Sequence, residues 1–358
     1  MQTDWTKLQS QVIDWLRFPM AVAVVMLHHG VTLIEEATGP LRVCCILFQE
    51  GFCRLAVPCF FFISSYLFFN NLQIWSWSVW KTKIKRRVHT LLIPYILWNI
   101  IAFFAFWAFA NLSGNHLNLL QHFQESGGIR IFWGVKGELP IGVRDAPIDS
   151  PLWFIRDLML YTLLTPFIYQ FIRWTRAIGL LALCSLFLLV QGIIPEGFIF
   201  FVTGAWLQLN RKNVVQLLWN QRKWLYLLSA LLLVATYASH SIEFWGRFLK
   251  ALFLFVGIGA SFCGIAQLLE QNTIHVRPFL AHGSFFIFTT HEILILHQFA
   301  QPFVKIIIPN QGAFWPCVEF FLTPAVAVGI CLGVLYLMRK ILPRTTGVLT
   351  GDRQVKSA

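Results

Sequence analysis

Within the stretch VIDWLRFPMAVAVVMLHH, Arg17 and His28 stand eleven residues apart. At 100° per residue that leaves them about 20° apart around a helix axis and roughly 16 Å apart along it, so one face carries both at two depths. A guanidinium grips phosphate through charge-assisted hydrogen bonds, and a neutral imidazole takes a proton near pH 7. Together they fit a groove that meets an anionic ligand first and a proton acceptor later. A plainer reading has Arg17 snorkel to an interface or pair with Asp14, while His28 closes a polar helix end. Pro19 lies between them, where a kink would shift the estimate.

Other polar residues in apolar surroundings extend the inventory. Arg54 precedes LAVPCFFFISSYLFF, which holds Ser64, Ser65 and Tyr66. Serines of such a helix commonly bond back to their own backbone or let helices pack closely. The following WKTKIKRRVHT carries Lys81, Lys83, Lys85, Arg86 and Arg87, a flank that needs no function and equally a patch for a polyanion. In PLWFIRDLMLY, adjacent Arg156 and Asp157 point about 100° apart, which predicts that each pairs with another helix; Lys250 and Glu292 are the candidates. The segment HGSFFIFTTHEILILH holds His282, His291, Glu292 and His297. Offsets of nine and six residues spread these histidines around the helix, unlike the i, i+4 pairs of helical metal sites, so no metal is expected. A histidine beside a glutamate could instead move protons.

The elements that position these groups follow from composition. Of 358 residues 57% are hydrophobic and 12% charged, against roughly 25% charged in soluble proteins. Runs such as 90–110 and 177–195 are apolar on every face, so lipid is the solvent. Spans are predicted at 12–33, 52–70, 90–110, 152–172, 177–195, 197–209, 224–239, 246–268, 280–300 and 316–338. The sixth is short. Placing the N-terminus inside puts 18 Lys and Arg in cytoplasmic loops against 5 outside, so both termini face the cytoplasm. That arrangement also accounts for the net charge of +12 without nucleic acid. Eight spans would satisfy it too if a weak pair were re-entrant.

The expected fold is therefore all-α: a polytopic bundle of about ten transmembrane helices, read as one domain over 1–358 with no fused soluble module. The longest connection, 111–150, mixes polar residues with Ile131, Phe132 and Trp133 and could order into a partly buried lid. The cysteines read as small core residues, with Cys44 and Cys45 in a short connection where a bridge is disfavoured. The first apolar run, interrupted by Arg17 and Pro19, does not read as a cleavable signal.

Four segments resemble a known family, the integral membrane acyltransferases called acyltransferase type 3. Ile13, Asp14, Leu16, Arg17 and His28 match its I-D-x-L-R segment with the spaced histidine. Arg54, Val57, Pro58, Phe60, Phe61, Ser64 and Tyr66 match R-x-x-V-P-x-F-F-x-x-S-G-Y, with Ser65 in place of the usual glycine. PLWFIRDL is similar to its L-W-F element, and Ser284 and His291 resemble its late S-x-x-I-Y-x-x-H segment. The resemblance implies a multi-pass protein of a bacterial cytoplasmic membrane. It also implies transfer of an acyl group, commonly acetyl, from cytoplasmic acyl-CoA to a hydroxyl or amine of an envelope glycan or related molecule, with acyl-CoA as donor substrate and no permanently bound cofactor.

Residues and resemblance meet in one expected mechanism. Arg17 with Lys83, Lys85, Arg86 and Arg87 would hold the acyl-CoA phosphates, and His28 would take the proton of the attacking acceptor. His291 competes for that role. Arg54, Ser64, Tyr66, Arg156 and Glu292 are the candidate acceptor-binding residues. A secondary transporter or lipid-linked glycan flippase is the rival, since buried Arg, His and Glu also line transport pathways, although no inverted repeat is visible. Oligomeric state and acceptor identity are not encoded legibly.

Overall fold

The computed structural model describes residues 3–30, 37–70, 72, 75–114, 117–134, 146–190, 192–239, 242–308, 312 and 314–351. The end of the first expected span, Lys136 and Arg144 of the long connection, and Arg353 and Lys356 lie outside these residues. Every regular element among the described residues is a helix. The main ones are α1 (Trp5–Gly30), α2 (Gly39–Phe69), α3 (Trp77–Leu112), α4 (Trp153–Leu163), α5 (Thr165–Leu189), α6 (Glu196–Leu209), α7 (Arg222–Ala238), α8 (Glu243–Glu270), α9 (Pro278–Ile307) and α10 (Trp315–Ile341).

Seven of these, α1, α2, α3, α5, α8, α9 and α10, are long and apolar enough to cross a membrane. At 11, 14 and 17 residues, α4, α6 and α7 are shorter than the roughly 20 a span needs, so the expected total of ten rests on them. The expected span 152–172 breaks at Leu164 (φ −76°, ψ −2°), two residues before Pro166, whose ring and missing N–H oppose a continuous helix. A second break falls at Arg176 (φ 53°, ψ −132°), where the fourth and fifth spans were expected to part. The Trp206 indole donates to the Arg176 carbonyl at 3.2 Å.

Cys44 and Cys45 sit inside α2, not in a connection, and no disulfide joins them. The first half of α2 is irregular, with a wide π-turn over Cys45–Gly51 and a 3₁₀ turn over Phe52–Leu55 before a regular helix to Phe69.

The chain divides into two compact units. The first combines Met1–Ser76 with Leu164–Ala281, and the second Trp77–Leu163 with His282–Ala358. In the first, α1 packs on α2 and α8, α2 on α6, and α7 on α8. Two glycines set the α2–α6 approach. A Cβ at Gly197 would stand 2.4 Å from the Phe61 ring, and one at Gly204 would stand 2.3 Å from Ser65 Oγ and 2.4 Å from the Phe62 carbonyl. Ser65 is buried and donates to Phe62 O at 3.0 Å, the backbone bond expected of such a serine.

The second unit gathers α3, α4, α9 and α10. The Trp98 indole donates to Leu349 O at 3.0 Å, which ties the helix Pro343–Leu349 to α3. The described parts of the long connection are partly buried, as expected, with Ile131 and Asp149 nearly inaccessible. Ile148 N–H donates to Ile131 O at 2.9 Å, Tyr95 donates to Phe132 O, and Asp149 N–H donates to Asn99 Oδ1 at 3.2 Å.

Candidate functional site

Arg17, His28, Arg54, Ser64 and Tyr66 lie in the first unit, whereas Lys83, Lys85, Arg86, Arg87, Arg156, His291 and Glu292 lie in the second. Helix α1 runs unbroken past Pro19, so the phase that sets Arg17 and His28 on one face holds. Leu16, Met20, Ala23 and Val24 face the core, and Arg17 and His28, both half-buried, flank that stripe. Arg17 Nη1 pairs with Asp14 at 2.9 Å, the i, i+3 partner of the plainer reading.

The two ends of this unit differ in chemistry. At the Trp5 end, Gln9 is the hub: its Nε2 donates to Tyr66 Oη at 2.7 Å, and its Oε1 accepts from Val214 N–H at 2.5 Å. Tyr66 donates in turn to Lys212 O at 3.1 Å, so its hydroxyl is engaged in joining three segments. Ser64 is half-buried on the same helix. A cavity of about 460 Å³ opens nearby, lined by residues that include Lys7, Gln11, Asn272, His275, Asp4 and Glu270. The last two carboxylates make it a poor host for a polyphosphate.

At the other end, two cations converge on one carboxylate. Arg54 Nη2 meets Glu50 Oε1 at 2.6 Å, and Lys250 Nζ meets Glu50 Oε2 at 2.6 Å. The carboxylate of Glu196, at the start of α6, lies within the electrostatic reach of all three. Cys53 Sγ stands 3.9 Å from Met26 Sδ, which sets this cluster beside the His28 end of α1. Lys250 therefore answers Glu50 and is not a partner of Asp157, correcting the sequence expectation.

Glu50 and Glu196 escaped the sequence reading. The expected second span began at residue 52, and only a helix continued back through the π-turn makes Glu50 and Arg54 an i, i+4 pair. That spacing was the available signal. Nothing local to Glu196 pointed to the cluster.

In the second unit, Arg156 Nε pairs with Asp157 Oδ1 at 2.9 Å, against the expectation that each would seek another helix. Backbone directions 100° apart do not limit a side chain with a three-carbon stem, and burial of both groups rewards the shortest neutralisation. Arg156 also donates to Trp133 O at 2.5 Å, with its guanidinium 5.4 Å from the Trp133 ring centroid. It is 4% exposed and props the long connection.

His291 is fully buried in α9, with Nδ1 2.9 Å from Ile287 O. That contact is a bond if Nδ1 carries the proton, which leaves the lone pair on Nε2, the form a base requires. Directly after His291 and the half-buried Glu292, the helix unwinds at Ile293 (ψ 85°) and Leu294 (φ 63°). Lys83 and Arg87 are half-buried on α3, and Lys85 and Arg86 are exposed.

Asp149 is a further group that sequence reading passed over. It is 1% exposed, and among the described residues neither carboxylate oxygen has a hydrogen-bond partner. Burial, with the Glu292 carboxylate adding to it, pushes its pKa well above the usual range.

A family model described as an acyltransferase domain matches residues 11–338, which takes in most of both units. The chain is also similar to the succinoglycan biosynthesis protein ExoH of Rhizobium meliloti (strain 1021), at 25% identity over 328 residues, 86% of this chain and 82% of the relative. No solved structure matches it.

Proposed function

The chain belongs to this family of membrane acyltransferases, and from that premise we propose that it moves an acyl group, acetyl in the first instance, from cytoplasmic acyl-CoA to a hydroxyl or amine of a cell-envelope glycan. The observation that carries the reading is the unbroken α1, which holds Arg17 and His28 on one face at two depths. The relative's part in succinoglycan biosynthesis supports a glycan as acceptor. The excess of Lys and Arg in alternate connections supports cytoplasmic termini, and the likeness to a succinoglycan biosynthesis protein of Rhizobium meliloti supports a bacterial inner-membrane setting.

In this reading Arg17, released from Asp14, grips a phosphate of the donor at the cytoplasmic end of α1. The acceptor oxygen attacks the thioester carbonyl, His28 takes its proton, the carbon–sulfur bond breaks, and the proton returns to the departing thiolate as CoA leaves. General-base assistance of this kind is worth about 10²–10⁴-fold. His291 is the competing base, and its Nδ1 contact with Ile287 O is what favours it.

Purified protein given radiolabelled acetyl-CoA and envelope oligosaccharide tests the proposal. Acceptor-dependent CoA release that is lost in His28→Ala and kept in His291→Ala is the expected result. Full transfer by His28→Ala would sink the assignment of the base. Movement of unmodified glycan across vesicles without CoA release would sink the reading as a whole.

A further inference from the structure

We propose that Glu50, Arg54, Lys250 and Glu196 form the acceptor subsite and that it is built for an uncharged polyhydroxyl, a saccharide ring presenting neighbouring hydroxyls, in preference to an anion. The inference rests on the glycan-acylating reading and names the acceptor chemistry of that site.

Charge balance comes first. Arg54 and Lys250 both spend their charge on Glu50, and Glu196 brings the cluster to two cations and two carboxylates. Among the described residues an anionic acceptor would find both cations of this cluster already engaged with Glu50, and a second carboxylate, Glu196, within their reach. Sugar hydroxyls, which donate and accept at once, suit alternating carboxylate and cationic groups.

Accessibility comes second. Ion pairs built only to hold helices together gain from exclusion of water, yet Arg54 is 42% and Lys250 25% exposed. The cluster is open to a ligand. Within it, the Arg54 Nε–H is buried and finds no acceptor among the described residues, and a buried donor gains from an oxygen that accepts from it. A hydroxyl oxygen of the acceptor supplies that partner.

Placement comes third. The contact between Cys53 and Met26 sets the cluster at the end of α1 that carries His28, two residues beyond Met26. A ring held there has hydroxyls near the proposed base. Glu196 is positioned by its neighbour Gly197, whose closeness to Phe61 fixes the start of α6 on α2. Glu50 has a different part: it holds Arg54 and Lys250 and is a positioning residue.

The test compares the full chain with Glu196→Gln, Glu50→Gln and Glu50→Asp, using acetyl-CoA and two acceptors of equal length, a neutral oligosaccharide and one containing uronate. Glu196→Gln should raise the KM for the neutral acceptor about tenfold, the loss of one hydrogen bond to a charged group, while the KM for acetyl-CoA moves less than about twofold. Glu50→Gln should free the two cations and shift the kcat/KM ratio toward the uronate acceptor by about tenfold, with Glu50→Asp restoring the original preference. An unchanged acceptor KM in Glu196→Gln together with an unchanged ratio in Glu50→Gln, in protein that still turns over saccharide, overturns the subsite alone. A wild-type chain that releases CoA with neither saccharide overturns the glycan reading and the subsite with it.

Discussion

In the first unit the buried and half-buried carboxylates are answered by cations, Asp14 by Arg17 and Glu50 by Arg54 and Lys250. In the second, Arg156 answers Asp157, but Asp149 lies deeper and neither of its oxygens is bonded by a described residue. Two ways of holding an acid in a poor solvent are therefore present in one chain. Pairing keeps the carboxylate charged and able to meet a ligand, whereas unpaired burial makes the neutral acid the stable form. The first suits recognition, and the second suits a group whose protonation follows its surroundings.

The largest way to sharpen the contrast is His28→Ala, expected to lower acyl transfer about 10²–10⁴-fold with little change in thermal midpoint, measured as CoA release and by unfolding in detergent. Next is Arg156→Ala, which strands Asp157 in a buried site and removes the prop of Trp133. A destabilisation of about 3–5 kcal/mol is expected, and an unaltered midpoint would break the claim that the pair is structural.

Asp149→Asn gives a smaller, pH-dependent effect. The folded-state pKa of Asp149 is raised, so wild-type stability is greatest below the unfolded carboxylate value of about 3.9 and falls as pH rises from there toward the folded value. Asparagine cannot ionise. The variant should match wild type near pH 4 and exceed it in thermal midpoint at pH 7 to 8; parallel curves across that range would refute unpaired burial. Asp14→Asn should do least to stability, within about 1 kcal/mol for a pair this exposed. It should lower the KM for acetyl-CoA by releasing Arg17, and a raised KM would argue against Arg17 as the phosphate ligand.

Apolar runs made the helices legible because lipid demands length and internal hydrogen bonding, and the phase of Arg17 and His28 survived because Pro19 left α1 continuous. Legibility failed where the backbone departs from regular helix. The π-turn before Phe52 hid the Glu50–Arg54 pair, and the Leu164 break fell inside an expected span. Asp149 was hidden for another reason: its backbone N–H is held by Asn99, fifty residues away, and no local pattern reports such a contact. Arg156 with Asp157 shows the limit of phase arguments, since side-chain reach outweighed backbone direction.

The close approach of α2 and α6 has a consequence for how this chain could change over time. Room between them is shared by Ser65 and Gly204, so the hydroxymethyl that Ser65 carries in place of a glycine draws on space left by the missing Cβ across the way. Size at one position sets the allowance at the other. Gly204→Ala would press on the Phe62 carbonyl as well as on Ser65, and backbone does not yield as a rotamer does. Among descendants of this sequence, a larger residue on α6 should persist only after Ser65 has shrunk, and even then only if α2 bends at Phe62, so the order of substitutions along a lineage is constrained as well as their identity.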